Sequence, residues 1–218
     1  MKKYIRSYHM FLPGKKWVKA CIYLLYPFIV IGTVCLLRYK LTYYPVICMG
    51  LACVMTTMAE IFFDYFIFGG IASRETNKLE YLKTSVRGIS MLKSSLAADI
   101  IRRFLSITII ISGSYLAAAR GIQTEEHIFL HILWYIFCVF FLIETGLFIT
   151  RFFMNTAGSM LVCVVLGNVA ALPGCFVPAW DIQIWVAVLL AAAGAAAGMA
   201  VTGRRFILKR AEESYYDR

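Results

Sequence analysis

The sequence holds no GxxxxGK[ST] phosphate loop, no HExxH, no GxSxG and no paired-aspartate DGxxAR run. The first absence takes nucleotide hydrolysis away from this chain. The others take away zinc-peptidase, serine-hydrolase and phosphotransferase chemistry of the kinds those spacings serve. Histidine is scarce, at three residues, and none of the seven cysteines stands in a CxxC pair. A metal centre or a disulfide framework is therefore not expected, and the thiols read as small apolar side chains inside apolar runs. No cofactor is expected on this chain. The first apolar run ends in Leu37-Arg38-Tyr39-Lys40 rather than in a small-x-small cleavage site, so a cleaved signal peptide is not expected either. Charge is thin as well, at 16% of residues, against about 25% in soluble domains.

Apolar residues fill the space that charge leaves. They make up 61% of the chain, and the mean hydropathy is +0.75. A helix crossing the ~30 Å hydrocarbon layer takes ~20 residues at 1.5 Å each. Six such spans can be placed. Uncharged runs cover 20–37 and 41–59, the second continuing past Glu60 and Asp64 to about Phe68. A third covers 104–119 and extends inward through Asp99 to Arg103. The fourth runs over 128–150 around Glu144, the fifth over 156–173, and the sixth over 182–203. Lipid offers backbone groups no partners, and these runs exceed the length of barrel strands, so helices are required. The fold class predicted is all-α, a polytopic integral membrane protein.

The basic residues are unevenly shared between alternate connections. Nineteen fall at the N-terminus, between Gly69 and Arg103, at Arg151 and in the tail, while Arg38, Lys40 and Arg120 are the three on the other side. Basic residues collect on the cytoplasmic side, which predicts both termini inside. The net charge of +10 is scattered through the gaps between apolar runs rather than gathered on one face. That favours topology and anionic-lipid contact over nucleic acid.

One transmembrane domain over 1–218 is expected, with subdivisions. Residues 1–16 place Tyr4, Ile5, Tyr8, Phe11 and Leu12 at helical spacing before Pro13-Gly14, which reads as an amphipathic interfacial helix. Spans one and two occupy 17–68, a cytoplasmic loop 69–99, spans three to six 100–203 and a tail 204–218. Gly194 and Gly198 form a GxxxG in an alanine-rich run of the sixth span, a helix-packing motif that serves either the bundle itself or a subunit interface. In the loop, Asn77 and Glu80 have capping-box spacing, and Leu79, Leu82, Val86, Ile89, Leu92 and Leu96 keep helical phase. Gly88 predicts two pieces, a short helix over 77–87 and a second from about residue 90. A helix that carries both apolar and charged groups out of the membrane suits a socket on another protein; lying flat on headgroups is the other reading.

The stretch Leu79-Glu80-Tyr81-Leu82-Lys83-Thr84-Ser85, with Arg87-Gly88 and Ala98-Asp99-Ile100-Ile101-Arg102-Arg103-Phe104 after it, resembles the corresponding loop of small bacterial ABC-type-2 transporter permeases. The order of an interfacial helix, six spans and a helical loop between spans two and three is similar to that family along nearly the whole chain. The resemblance implies a bacterial plasma-membrane permease subunit, working as a dimer with the same or a homologous chain. ATP and magnesium would sit on a separate ATPase, whose groove takes the loop as a coupling helix through Leu79, Glu80, Tyr81, Leu82, Lys83 and Arg87. The chain has no appreciable extracellular domain, unlike larger members, which leaves the substrate class open.

Three acids lie within apolar spans: Glu60 and Asp64, four apart on one helix face, and Glu144. Intramembrane carboxylates face a bundle interior or water. These could bind a cation, relay protons, or pair with Arg102, Arg103 or Arg151 to fix helix packing. The rival functions are a proton- or ion-coupled secondary carrier using these acids, although no internal repeat supports it, and a membrane scaffold or immunity protein without transport.

Overall fold

The computed structural model describes residues 8–9, 19–40, 45–72, 86–118, 128–153, 156–175 and 181–216. Among them the chain is helical throughout, apart from the turn at Ala170 and Asp181. A π-helical turn, Cys21–Leu25, leads into α1, Tyr26–Lys40. The π-turn has a local cause: Pro27 has no amide hydrogen to give, and the Tyr26 amide reaches five residues back to the carbonyl of Cys21. α2 runs over Pro45–Ala72, with proline at the first helical position, where its missing donor is not needed. α3 is Val86–Ala118, α4 Ile128–Phe153, α5 Thr156–Val169, α6 Ala171–Cys175 and α7 Ile182–Tyr216.

Four of these helices are long and apolar enough to cross a membrane, over Cys21–Lys40, Val46–Tyr65, Ile128–Arg151 and Ile182–Lys209. The expected third and fifth spans differ. The third is the second half of α3, whose charged turn at Asp99–Arg103 interrupts the apolar run. The fifth is broken at Ala170, leaving α5 with 14 residues, about 21 Å. The expected break at Gly88 does not occur: α3 passes through that glycine and is continuous from Val86. Packing along a helix face overrides the modest cost of one glycine.

α2 is the hub, touching every other helix, and α7 lies chiefly along α4. The main core joins Val30 and Val34 of α1, Cys48, Ala52 and Ile61 of α2, Ile107, Ile110 and Ile111 of α3, Val139, Ile143 and Leu147 of α4, and Ala196 and Ala200 of α7. A second apolar cluster, of Tyr8, Ile22, Ile67, Phe68, Leu92, Leu96 and Ile207, closes the other end of the same helices. Three glycines set close approaches, the first being Gly113 of α3, where a Cβ would fall 2.8 Å from Ile31 of α1. A Cβ on Gly146 of α4 would fall 2.7 Å from Ile61 and 2.9 Å from Leu166, and one on Gly167 of α5 would fall 2.6 Å from Met58.

The GxxxG of α7 does not pack inside the bundle. Nothing lies within 4 Å of a Cβ placed on Gly194 or Gly198. The small residues that α7 turns inward are Ala196, Ala200 and Gly203, with Trp185, Leu189 and Ile207 on the same face. A helix with small residues on every side carries no phase of its own, and the bulky residues at its two ends set the rotation.

Candidate functional site: a buried ionic network

Between the two apolar clusters lies a layer of charge. Successive turns of α2 carry Glu60 and Asp64, and those of α3 carry Asp99, Arg102 and Arg103. α4 adds Glu144 and, seven residues on, Arg151. These seven are the buried ionisable carboxylate and guanidinium groups among the described residues, none more than 8% exposed. The spacings are those of residues sharing a helix face. Each helix therefore turns its charges toward the others and leaves its apolar side facing outward. On α3 that outer side is Ile101, Leu105, Ile109 and Leu116.

Arg102 forks onto Glu60: Nη2 donates to Oε2 at 2.6 Å and Nη1 to Oε1 at 3.2 Å. Its Nε donates to Asp99 Oδ1 at 3.1 Å. Arg103 is the centre, with no exposed surface. Its Nη1 donates to Glu144 Oε1, and its Nη2 to Asp99 Oδ2 and, at 3.3 Å, to Asp64 Oδ1. Its Nε lies 3.7 Å from Glu60 Oε2. Arg151 closes the far side, with Nε donating to Asp64 Oδ2 at 3.1 Å and Nη2 to Oδ1 at 2.5 Å. Three helices are thus joined by charge-assisted hydrogen bonds, which are about twice as strong as neutral ones. Taking one partner from a buried pair costs about 3–5 kcal/mol, because the other is left uncompensated.

No protein-family model, curated protein or solved structure matches the chain. The site's chemistry therefore rests on its own geometry.

Tyr8 seals one end of the layer. It is 2% exposed, its ring lies 6.4 Å from that of Phe68, and the Arg102 guanidinium carbon is 6.0 Å from its centroid. Burial, followed by the Asp99 carboxylate, pushes its phenol far above the ordinary tyrosine range, so it stays neutral. At the opposite end of the bundle, the Tyr115 hydroxyl is 3.4 Å from His131 Nδ1 and the His131 ring 5.5 Å from that of Trp185, which helps hold α3, α4 and α7 together.

Of the residues singled out in the sequence, Glu60, Asp64 and Glu144 come together in this layer. Leu79, Glu80, Tyr81, Leu82 and Lys83 lie outside the described residues, and Arg87 stands in the first turn of α3. Tyr8 is packed against the protein, and the rest of the expected interfacial helix, 1–7 and 10–16, lies outside the described residues. Asp99 and the central place of Arg103 were not foreseen. The readable signal was the Asp99–Arg102–Arg103 spacing, one face of a helix that must pass Glu60 and Asp64.

Proposed function

We propose that the chain is the six-span permease subunit of a bacterial ABC-type-2 transporter, an exporter driven by a separate ATPase. It works as a pair of permease subunits in the plasma membrane, with both termini in the cytoplasm. One observation supports this most. α3 is an unbroken rod of 33 residues, about 50 Å, whose first two residues, Val86 and Arg87, are the end of the 77–87 segment and whose middle is bonded into α2 and α4. A push on that segment would reach three helices through the Arg102 and Arg103 contacts without a soft joint. Supporting the third span is the apolar outer face of α3 from Ile101 to Leu116; supporting the fifth is that of α5 and α6 at Met160, Leu161, Val164, Val165 and Leu172. ATP and magnesium would act on the partner, and this chain would supply motion rather than covalent chemistry.

The secondary carrier remains the second reading, favoured by the carboxylates of the charge layer. A scaffold or immunity role has no specific observation in its favour. Copurification of a tagged chain in a mild detergent, with mass spectrometry of its companions and a transport assay in vesicles, separates them. A Walker-type ATPase bound at about one per permease and transport that stops without ATP are expected. A transport-active protein recovered with no ATPase overturns the proposal.

A further inference from the structure

Among the described residues, the buried layer is one positive charge short. Four carboxylates, Glu60, Asp64, Asp99 and Glu144, face three guanidinium groups, Arg102, Arg103 and Arg151, all at most 8% exposed. An unbalanced charge in a low-dielectric interior is strongly unfavourable, and a buried ionisable group responds by giving up its charge. A second and independent observation shows where. Glu144 is 1% exposed, its Oε1 accepts from Arg103 Nη1, and its Oε2 has no hydrogen-bond partner among the described residues.

The other three acids are better supplied. Asp64 accepts three hydrogen bonds from two guanidinium groups. Glu60 accepts the two-pronged fork of Arg102, and Asp99 accepts from both Arg102 and Arg103. Each has guanidinium donors on both of its oxygens. Glu144 is held on one side only. A metal cation at the bare oxygen would need several oxygen ligands, whereas a proton bonds to that one oxygen alone.

We propose that Glu144 is a proton-binding site, carrying one exchangeable proton on Oε2 that neutralises the buried layer. The groups facing it from its neighbours are consistent with a single proton. α2 presents Glu60 and Asp64, α3 presents Asp99, Arg102 and Arg103, and α4 itself adds Arg151 one and a half to two turns on. α7 brings Arg204 beside Gly203, which is 3.6 Å from Arg151 Nη1 if given a Cβ, and α5 offers no charged side chain. The proton comes from the medium and bonds to a carboxylate oxygen, with no bond broken elsewhere. This inference does not depend on the permease reading: it holds for an ATP-driven subunit and for a carrier alike.

The test uses the full-length protein in lipid nanodiscs. Infrared spectroscopy reads the carbonyl stretch of a protonated carboxyl group, which shifts in D2O; one such band is expected in the wild type and none in Glu144→Gln. The glutamine amide mimics the neutral acid in shape and charge, so the variant should melt within about 2 °C of the wild type. Asp64→Asn strips an ionised acceptor from two guanidinium groups and should melt roughly 10 °C lower. Persistence of the band in Glu144→Gln would place the proton elsewhere. Absence of any band in the wild type, or a Glu144→Gln protein that melts as low as Asp64→Asn or does not fold, would show an ionised, structurally paired Glu144. Each of these outcomes overturns the proposal.

Discussion

Arg151, near the end of α4, holds Asp64 of α2 by two hydrogen bonds of 2.5 and 3.1 Å across 87 positions of sequence. Asp64 also accepts from Arg103 of α3, so one carboxylate links three helices. The bundle is therefore fastened near one end by charge and elsewhere by apolar contact. That arrangement makes the ionic layer sensitive to single substitutions.

Arg103→Met should show this most clearly. Methionine fills much of the volume but leaves Asp99 and Glu144 without their central donor. The expected loss is about 3–5 kcal/mol, seen as a fall in melting temperature of roughly 10 °C for a chain of this size. Arg205→Met, at an exposed position of α7, should change stability by no more than about 0.5 kcal/mol. A fluorescence-based thermal shift on the detergent-solubilised proteins measures both. Equal melting temperatures would remove the network from the account of stability.

Glycine contacts give a prediction of opposite sign on two helices. Gly146→Leu must push aside Ile61 and Leu166, which a Cβ alone would already approach to 2.7 and 2.9 Å. Overpacking of this kind costs about 1–3 kcal/mol or more. Gly194→Leu meets open space and should leave the monomer's melting temperature unchanged or higher, since leucine is about 1 kcal/mol better than glycine in a helix. Size-exclusion chromatography with thermal melts distinguishes the two; destabilisation by Gly194→Leu alone would reverse the assignment of faces on α7.

The apolar runs were enough to read the helices, because a lipid interior leaves the backbone no other form. Pairing of Glu60 and Asp64 with Arg102, Arg103 or Arg151 was one of three sequence readings of those acids, and the hydrogen bonds now describe which atoms meet. What stayed hidden follows from averaging. Arg102 and Arg103 were read with the loop charges, since hydropathy over a window cannot see that one face of α3 is ionic and the other is Ile101, Leu105 and Ile109. Asp99 disappeared into the same polar stretch. On α7, Gly194 and Gly198 carried the recognisable spacing while Ala196 and Ala200, two positions further on, face the core. Spacing identifies a small face but not which of several small faces is buried.

Topology offers a direct check on the proposed orientation. In a background lacking the native cysteines, Ser85→Cys should react with an impermeant maleimide only after the membrane is opened, and a cysteine at Gln123 should react in intact cells. The 19-to-3 division of basic residues motivates this expectation. Labelling of residue 85 from outside would invert the whole assignment.

The decisive prediction concerns the 77–87 segment. If it seats in an ATPase groove, Leu82 is its apolar anchor, with Glu80, Lys83 and Arg87 forming a polar rim. A central apolar anchor often costs about 2 kcal/mol or more when lost, a roughly 30-fold weakening, whereas rim charges act mainly on association rate. Leu82→Asp should therefore release the ATPase on copurification. It should leave the melting temperature of the permease itself unchanged, because the position lies outside the apolar runs that build the bundle. Lys83→Ala should keep the complex and slow its formation, more so at low salt, where screening is weak. Binding that survives Leu82→Asp undiminished would mean that this helix is not the contact. Loss of melting temperature with loss of binding would mean instead that Leu82 packs against the bundle and the segment serves the fold.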